Sequence, residues 1–112
     1  MPDHYTTVGP IIKPAATTQY EVTMNPWFPH SFVGVLPCDV DGNYDVATAG
    51  TASFKVETVN CPGLWQIPVD SVVDLTDPGD VSFAGNITRV QVTITGLTGA
   101  AYTCARVSQN MA

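Results

Sequence analysis

Asp39, Asp41, Asn43 and Asp45 recur at every second position around Gly42 in the segment CDVDGNYD, so four oxygen-bearing side chains lie within reach of one another, as in short calcium loops. The glycine stands one place too early for the usual loop spacing, and no glutamate closes the site. Asp-Gly-Asn is also a strong hairpin turn by itself, so the four residues are metal candidates in a chain for which no cofactor is expected. Asp70, Asp74, Asp77 and Asp80 form a second acidic group, and paired carboxylates of this kind can cleave glycosidic bonds. These four cluster at one strand end and its turn, where solvated aspartates are ordinary. His4 and His30 have no partner at metal-ligand spacing, no serine sits in a nucleophile elbow, and no glycine-rich loop precedes a helix. Cys38, Cys61 and Cys104 show no C-x-x-C spacing and read as reduced packing residues, with a disulfide or metal site as the alternative. Asn86-Ile87-Thr88 matches a glycosylation sequon, but no secretion signal accompanies it. The expectation is a protein that is not an enzyme.

The elements that would carry these residues are strands. Nine glycines and nine prolines in 112 residues, with many Val and Thr and few Leu, Lys or Glu, favour short strands joined by turns. Tyr20, Val22 and Met24 alternate with polar neighbours. Ala52, Phe54 and Val56 do the same, and so do Trp65, Ile67, Val69, Val73 and Leu75 in LWQIPVDSVVDL. Val90, Val92 and Ile94 alternate with Arg89, Gln91 and Thr93, and Gly-Leu-Thr-Gly-Ala then turns the chain into a last run from Tyr102, which reads as a long C-terminal hairpin. About seven or eight strands result, at the spacing of a sandwich or barrel. The expected fold is all-β, a single small antiparallel β-sandwich, immunoglobulin-like or jelly-roll-like, over residues 19–112.

Residues 1–18 lack such a pattern, because Pro2, Gly9, Pro10 and Pro14 interrupt every run. They read either as a frayed terminus or as an extended N-terminal arm that orders on a partner, with Val8, Ile11, Ile12 and Lys13 as its contacts. Trp27 and Phe28, between Pro26 and Pro29, are a further candidate contact, although an aromatic cluster in a small sandwich also closes the core.

Charge narrows the partners. Four basic residues against ten acidic ones give a net charge of −6, and Lys13, Lys55, Arg89 and Arg106 are too scattered to neutralise several phosphates, so nucleic acid is not an expected partner. Only 12% of residues are charged, against about 25% in an average domain, as suits a surface partly covered by neighbouring subunits or a secreted β domain. No apolar stretch approaches membrane-spanning length, and MPDHYTTVGP lacks the pattern of a signal peptide, so folding in a cytoplasm is expected.

The order GTASFKVETVNCPGLWQIP, a Val-Asp-Leu-Thr-Asp turn, and VSFAGNITRVQVTITGLTGAAYTCARVSQ resembles small β-sandwich structural proteins of tailed bacteriophage particles over about residues 50–110. The resemblance implies a non-enzymatic virion component assembled in the host cytoplasm. A capsid decoration (cement) or head-fibre subunit that binds through the arm comes first, and a tail, neck or baseplate piece is the alternative. It further implies partners among other virion proteins and copies of itself, with a homotrimer as the expected oligomer. A carbohydrate-binding adhesive module built on Trp27, Phe28, Tyr44 and the Asp39–Asp45 loop is the reading from another class.

Overall fold

The computed structural model describes residues 5–68 and 71–111, so His4, Val69 and Asp70 lie outside the described residues. Eight strands follow one another: β1 (Tyr5–Pro14), β2 (Gln19–Thr23), β3 (His30–Cys38), β4 (Ala49–Thr58), β5 (Val72–Asp74), β6 (Asp80–Ala84), β7 (Ile87–Thr98) and β8 (Tyr102–Asn110). They form two four-stranded sheets, sheet A in the order β1-β8-β3-β6 and sheet B in the order β2-β7-β4-β5, and every pairing is antiparallel. The expected all-β sandwich is the observed one.

Period-two alternation explains the core. Tyr20, Val22 and Met24, then Ala52, Phe54 and Val56, then Val90, Val92 and Ile94 line the inner face of sheet B. Val33, Val35, Val81, Phe83, Ala105 and Val107 meet them from sheet A. Phe54 and Phe83 pack edge to face across the two sheets, with centroids 6.0 Å apart.

Three expectations need correction. The C-terminal run is no hairpin. β7 lies in sheet B and β8 in sheet A, because both strands carry an inward apolar row and each row covers the other across the core rather than extending one sheet. Gly99 makes this crossing, with φ of 91° and a backbone so close to Thr48 that a Cβ would stand 2.7 Å from the Thr48 nitrogen. Only β4 and β5 are consecutive strands that also pair, so the other connections all pass between sheets.

The second correction concerns the arm. Tyr5–Pro14 is strand β1, paired along β8 from Tyr5 opposite Asn110 to Pro14 opposite Tyr102. The prolines do not exclude it from the sheet, because β1 is an edge strand with one side free of ladder bonds, and an irregularity between Val8 and Ile11 absorbs the cis Gly9-Pro10 bond.

The third concerns residues 65–67. Gln66 makes only an isolated bridge to Val56, Trp65 is half-buried and Ile67 is 73% exposed, so neither apolar side chain enters the core. Alternation here is broken by the chain leaving the sheet, and it resumes with Val73 and Leu75, which are buried.

Candidate functional site

The four acidic-loop candidates sit in the connection between β3 and β4. Asp39 Oδ1 accepts hydrogen bonds from the backbone nitrogens of Asp41 (2.9 Å) and Asn43 (3.0 Å), and the Asp39 nitrogen donates to the Asn43 carbonyl at 2.9 Å. One carboxylate oxygen is thus committed to holding the turn, as Asp commonly is in turns. Asp41, Asn43 and Asp45 are exposed, and among the described residues no three His, Cys, Asp or Glu side chains converge on a metal position. The loop instead folds back over the outer face of sheet A. Gly42 is buried with φ of 85°, and a Cβ there would touch Ile12 Cδ1 at 3.0 Å.

β1 divides the arm candidates between two faces, because neighbouring side chains on a strand point opposite ways. Ile11 packs against the main core, Ile12 lies under the acidic loop, and Lys13 places its ammonium 6.0 Å from the Tyr20 ring centre. Val8 stands opposite Val107 on β8. These residues are therefore engaged within the fold, a correction to their assignment as a free docking arm. Ile12, opposite Cys104, helps cover the end of the sheet where Cys38 and Cys104 are also buried. All three cysteines are free thiols, and burial pushes the Cys38 thiol up to about 11.

Trp27 and Phe28 part company. Phe28 is buried, whereas Trp27 is 74% exposed at the tip of the β2–β3 connection. Gln109 anchors that tip from inside. Its Nε2 donates to the Asn25 carbonyl (2.9 Å) and Ser31 Oγ (3.1 Å), and its Oε1 accepts from the Asn25 nitrogen at 3.0 Å. Asn25 Oδ1 then accepts from the Trp27 nitrogen, and Asn86 Nδ2 donates to the Pro26 carbonyl at 2.6 Å. Tyr44 lies at the opposite end of β3, so Trp27, Phe28, Tyr44 and the acidic loop do not form one site.

A groove of about 540 Å³ lies across the outer face of sheet A, walled by Pro10 on the β1 side and Pro78-Gly79 on the β6 side. Register explains it. Gly34 on β3 stands opposite Arg106 of β8 and Asp80 of β6, so a strand residue without a side chain occupies the middle of a row whose ends are charged. The Asp80 carboxylate leans over the space that a Gly34 side chain would fill. Phe32, 38% exposed, and Leu36 flank the row, and among the described residues Arg106 has no carboxylate within ion-pair distance. An apolar trench with one donor and one acceptor flank can seat a polar segment of a partner.

The outer face of sheet B is different. Glu57 accepts from Arg89 Nε (2.9 Å) and Nη2 (2.7 Å), from Thr88 Oγ1 (2.7 Å) and from the Gly63 nitrogen (2.7 Å). Arg89 Nη1 reaches Glu21 at 2.7 Å, and the guanidinium stacks 4.7 Å from the Trp65 ring centre. The Arg89 hydrogen bonds, with those of Thr88 and Gly63, hold the Glu57 carboxyl down at about 2. This cluster pins the Thr58–Gln66 connection to the sheet. Glu21, Glu57 and Arg89 each alternate outward in the sequence, yet only the strand register brings them together.

Comparison with known proteins places this fold. No curated protein matches the chain. Among solved structures, the SPBc2 prophage-derived protein YomS superposes with a TM-score of 0.57 at 14% identity, over 94% of this chain and 93% of that one. A protein of Bacillus endospore appendages, described as disulfide-linked pili, aligns at 18% identity over 96% of this chain and 88% of that one, with a TM-score of 0.46. A family model covers nearly everything that the two sheets contain, from residue 8 to residue 112, and the chain accordingly belongs to the family described as Domain of unknown function (DUF7265).

Proposed function

We propose that this protein is a non-enzymatic structural subunit of a bacteriophage virion, a capsid decoration or head-fibre protein assembled in the host cytoplasm. The observation that carries the reading is a sandwich shared end to end with a prophage-derived protein. The two outer faces support it: one carries the Glu21–Arg89–Glu57 ion-pair cluster, and the other keeps a groove with an Arg106 that has no carboxylate partner among the described residues, an exposed Phe32 and a glycine floor. In this reading the outer face of sheet A, with β1 as one wall of its groove, takes the docking role that the sequence assigned to a free arm. Other virion proteins and further copies of the chain are the partners, and many weak contacts on a repeating lattice supply avidity.

The test is mass spectrometry of gradient-purified particles from the lysate in which the protein is made. The chain should appear in the particle band in fixed ratio to the major capsid protein. Its absence from particles, with the protein present in the soluble fraction, removes the reading. A tail, neck or baseplate position would show as co-fractionation with tails rather than with tailless heads. A glycan-binding role keeps one observation in its favour, the rigidly presented indole of Trp27. Quenching or shift of Trp27 fluorescence on adding host-surface polysaccharide, lost in Trp27→Ala, would favour that role over docking.

A further inference from the structure

A sandwich has four sheet edges, and they are not equally protected here. β1 carries Pro10, Pro14 and a ladder irregularity, and β5 is three residues long. The hydrogen bond from the Ile94 nitrogen to the Thr18 carbonyl sets the ladder phase of β2, so Gln19, Glu21 and Thr23 turn their backbone groups outward with a carboxylate at the centre. A second copy added there about Glu21 would set two glutamates directly opposite each other, which is repulsive.

β6 is the exception. The Gly85 nitrogen donates to the Pro29 carbonyl at 2.8 Å in the same register that pairs Phe83 with Ser31 and Val81 with Val33. Odd-numbered residues therefore bond to β3. Asp80, Ser82 and Ala84 point their N–H and C=O groups away from it, toward a side with no hydrogen-bonded strand among the described residues. No proline or lysine interrupts Asp80–Ala84. On this side, Ile67, 73% exposed, and Pro68 flank a cleft of about 320 Å³ that reaches Val56 and Phe83.

We infer that β6 is a self-association edge, pairing antiparallel with β6 of a second copy of this chain about a two-fold axis at Ser82. In that register Ser82 faces Ser82 of the other copy, and Asp80 faces its Ala84, so the one carboxylate meets a methyl group. Sliding four residues, so that Asp80 faces Asp80, is opposed by like charge, and the register centred on Ser82 is the one that pairs all five residues of β6. Sheet A becomes a continuous eight-stranded sheet, and the exposed Ile67 of each copy comes to lie along the junction. The contact is isologous and closes at two copies. It gives a dimer in place of the trimer that the phage resemblance implies, and it does not depend on the virion reading.

Light scattering coupled to size exclusion, run on the full chain over a concentration series, should give the mass of two protomers at the upper end. Ser82→Pro removes only an outward N–H and is compatible with an edge strand, so it should fold with a circular dichroism spectrum unchanged and elute as a monomer, while Ser82→Ala remains dimeric. Amide exchange on the unmodified protein gives a readout independent of any variant: the Ser82 and Ala84 amides should gain protection as concentration rises. A monomer at every concentration, a mass of three protomers, or Ser82 and Ala84 amides that exchange freely in a dimeric sample would each overturn the inference. Particle association is measured separately, so a failure here and a failure of the virion reading are distinguishable.

Discussion

The two outer faces of this sandwich have the same strand geometry and opposite chemistry. On sheet B, Glu57 receives four hydrogen bonds, Arg89 serves two carboxylates and a tryptophan ring, and a connecting loop is tied down. On sheet A the corresponding middle of the face is a glycine between an aspartate and an arginine that has no ion-pair partner among the described residues. A face whose donors and acceptors are consumed internally stabilises the domain and offers little to a partner. A face that leaves them free contributes little to folding and is available for recognition.

That contrast can be broken at several levels. The core between the faces should respond most, and independently of either: Val92→Asp buries an unpaired carboxylate and should cost about 3–5 kcal/mol in urea unfolding. Unchanged stability would mean that β7 faces the other way. Gln109→Ala comes next, at about 1–3 kcal/mol, because it empties a fully buried position and takes the partner from the buried Ser31 hydroxyl, and it should also shift Trp27 emission as the tip held through Asn25 loosens.

Acid then separates the two faces. The folded Glu57 carboxyl titrates at about 2 against an ordinary 4.5, so its contribution is complete above about pH 4.5 and is lost as the pH falls toward 2. The thermal midpoint should drop across that window, and Glu57→Gln should lower it at pH 7 while flattening the acid limb. An equally steep acid limb in Glu57→Gln would show that sheet B is not sealed by this carboxylate. Arg106→Ala should change stability least, by less than about 0.5 kcal/mol, while weakening particle association. A destabilisation comparable to that of Glu57→Gln would erase the distinction between the faces.

Much of the fold was legible because period two is a local signal. Val22, Phe54, Val92 and Val107 could be turned inward from their neighbours alone, and the sandwich follows from having several such runs. What failed was pairing. The Gly-Leu-Thr-Gly-Ala turn looks like a hairpin whether its strands share a sheet or face each other across a core, and only the two inward rows together decide. Ile11-Ile12 reads as a pair of anchors because a wholly disordered tail has little need of adjacent isoleucines. Here one fills the core and the other fills a second pocket, made when the acidic loop folds over the outer face. The groove was illegible for the same reason as the Glu57–Arg89 cluster. Gly34, Asp80 and Arg106 come from three strands far apart in the chain, and only the register aligns them.

The strand order of sheet A also governs how the chain comes off the ribosome. β8, last in chain order, lies between β1 and β3, so the first strand made has no hydrogen-bonding neighbour until the last has emerged. Sheet B has all four of its strands before β8 in chain order, but its apolar face stays uncovered until β8 joins β1 and β3. The nascent chain is thus committed to a single late closing step. The final strand acts as the latch of the whole domain, and a chain stalled before Tyr102 would be left with one sheet bare, a substrate for chaperones rather than a smaller version of the same protein.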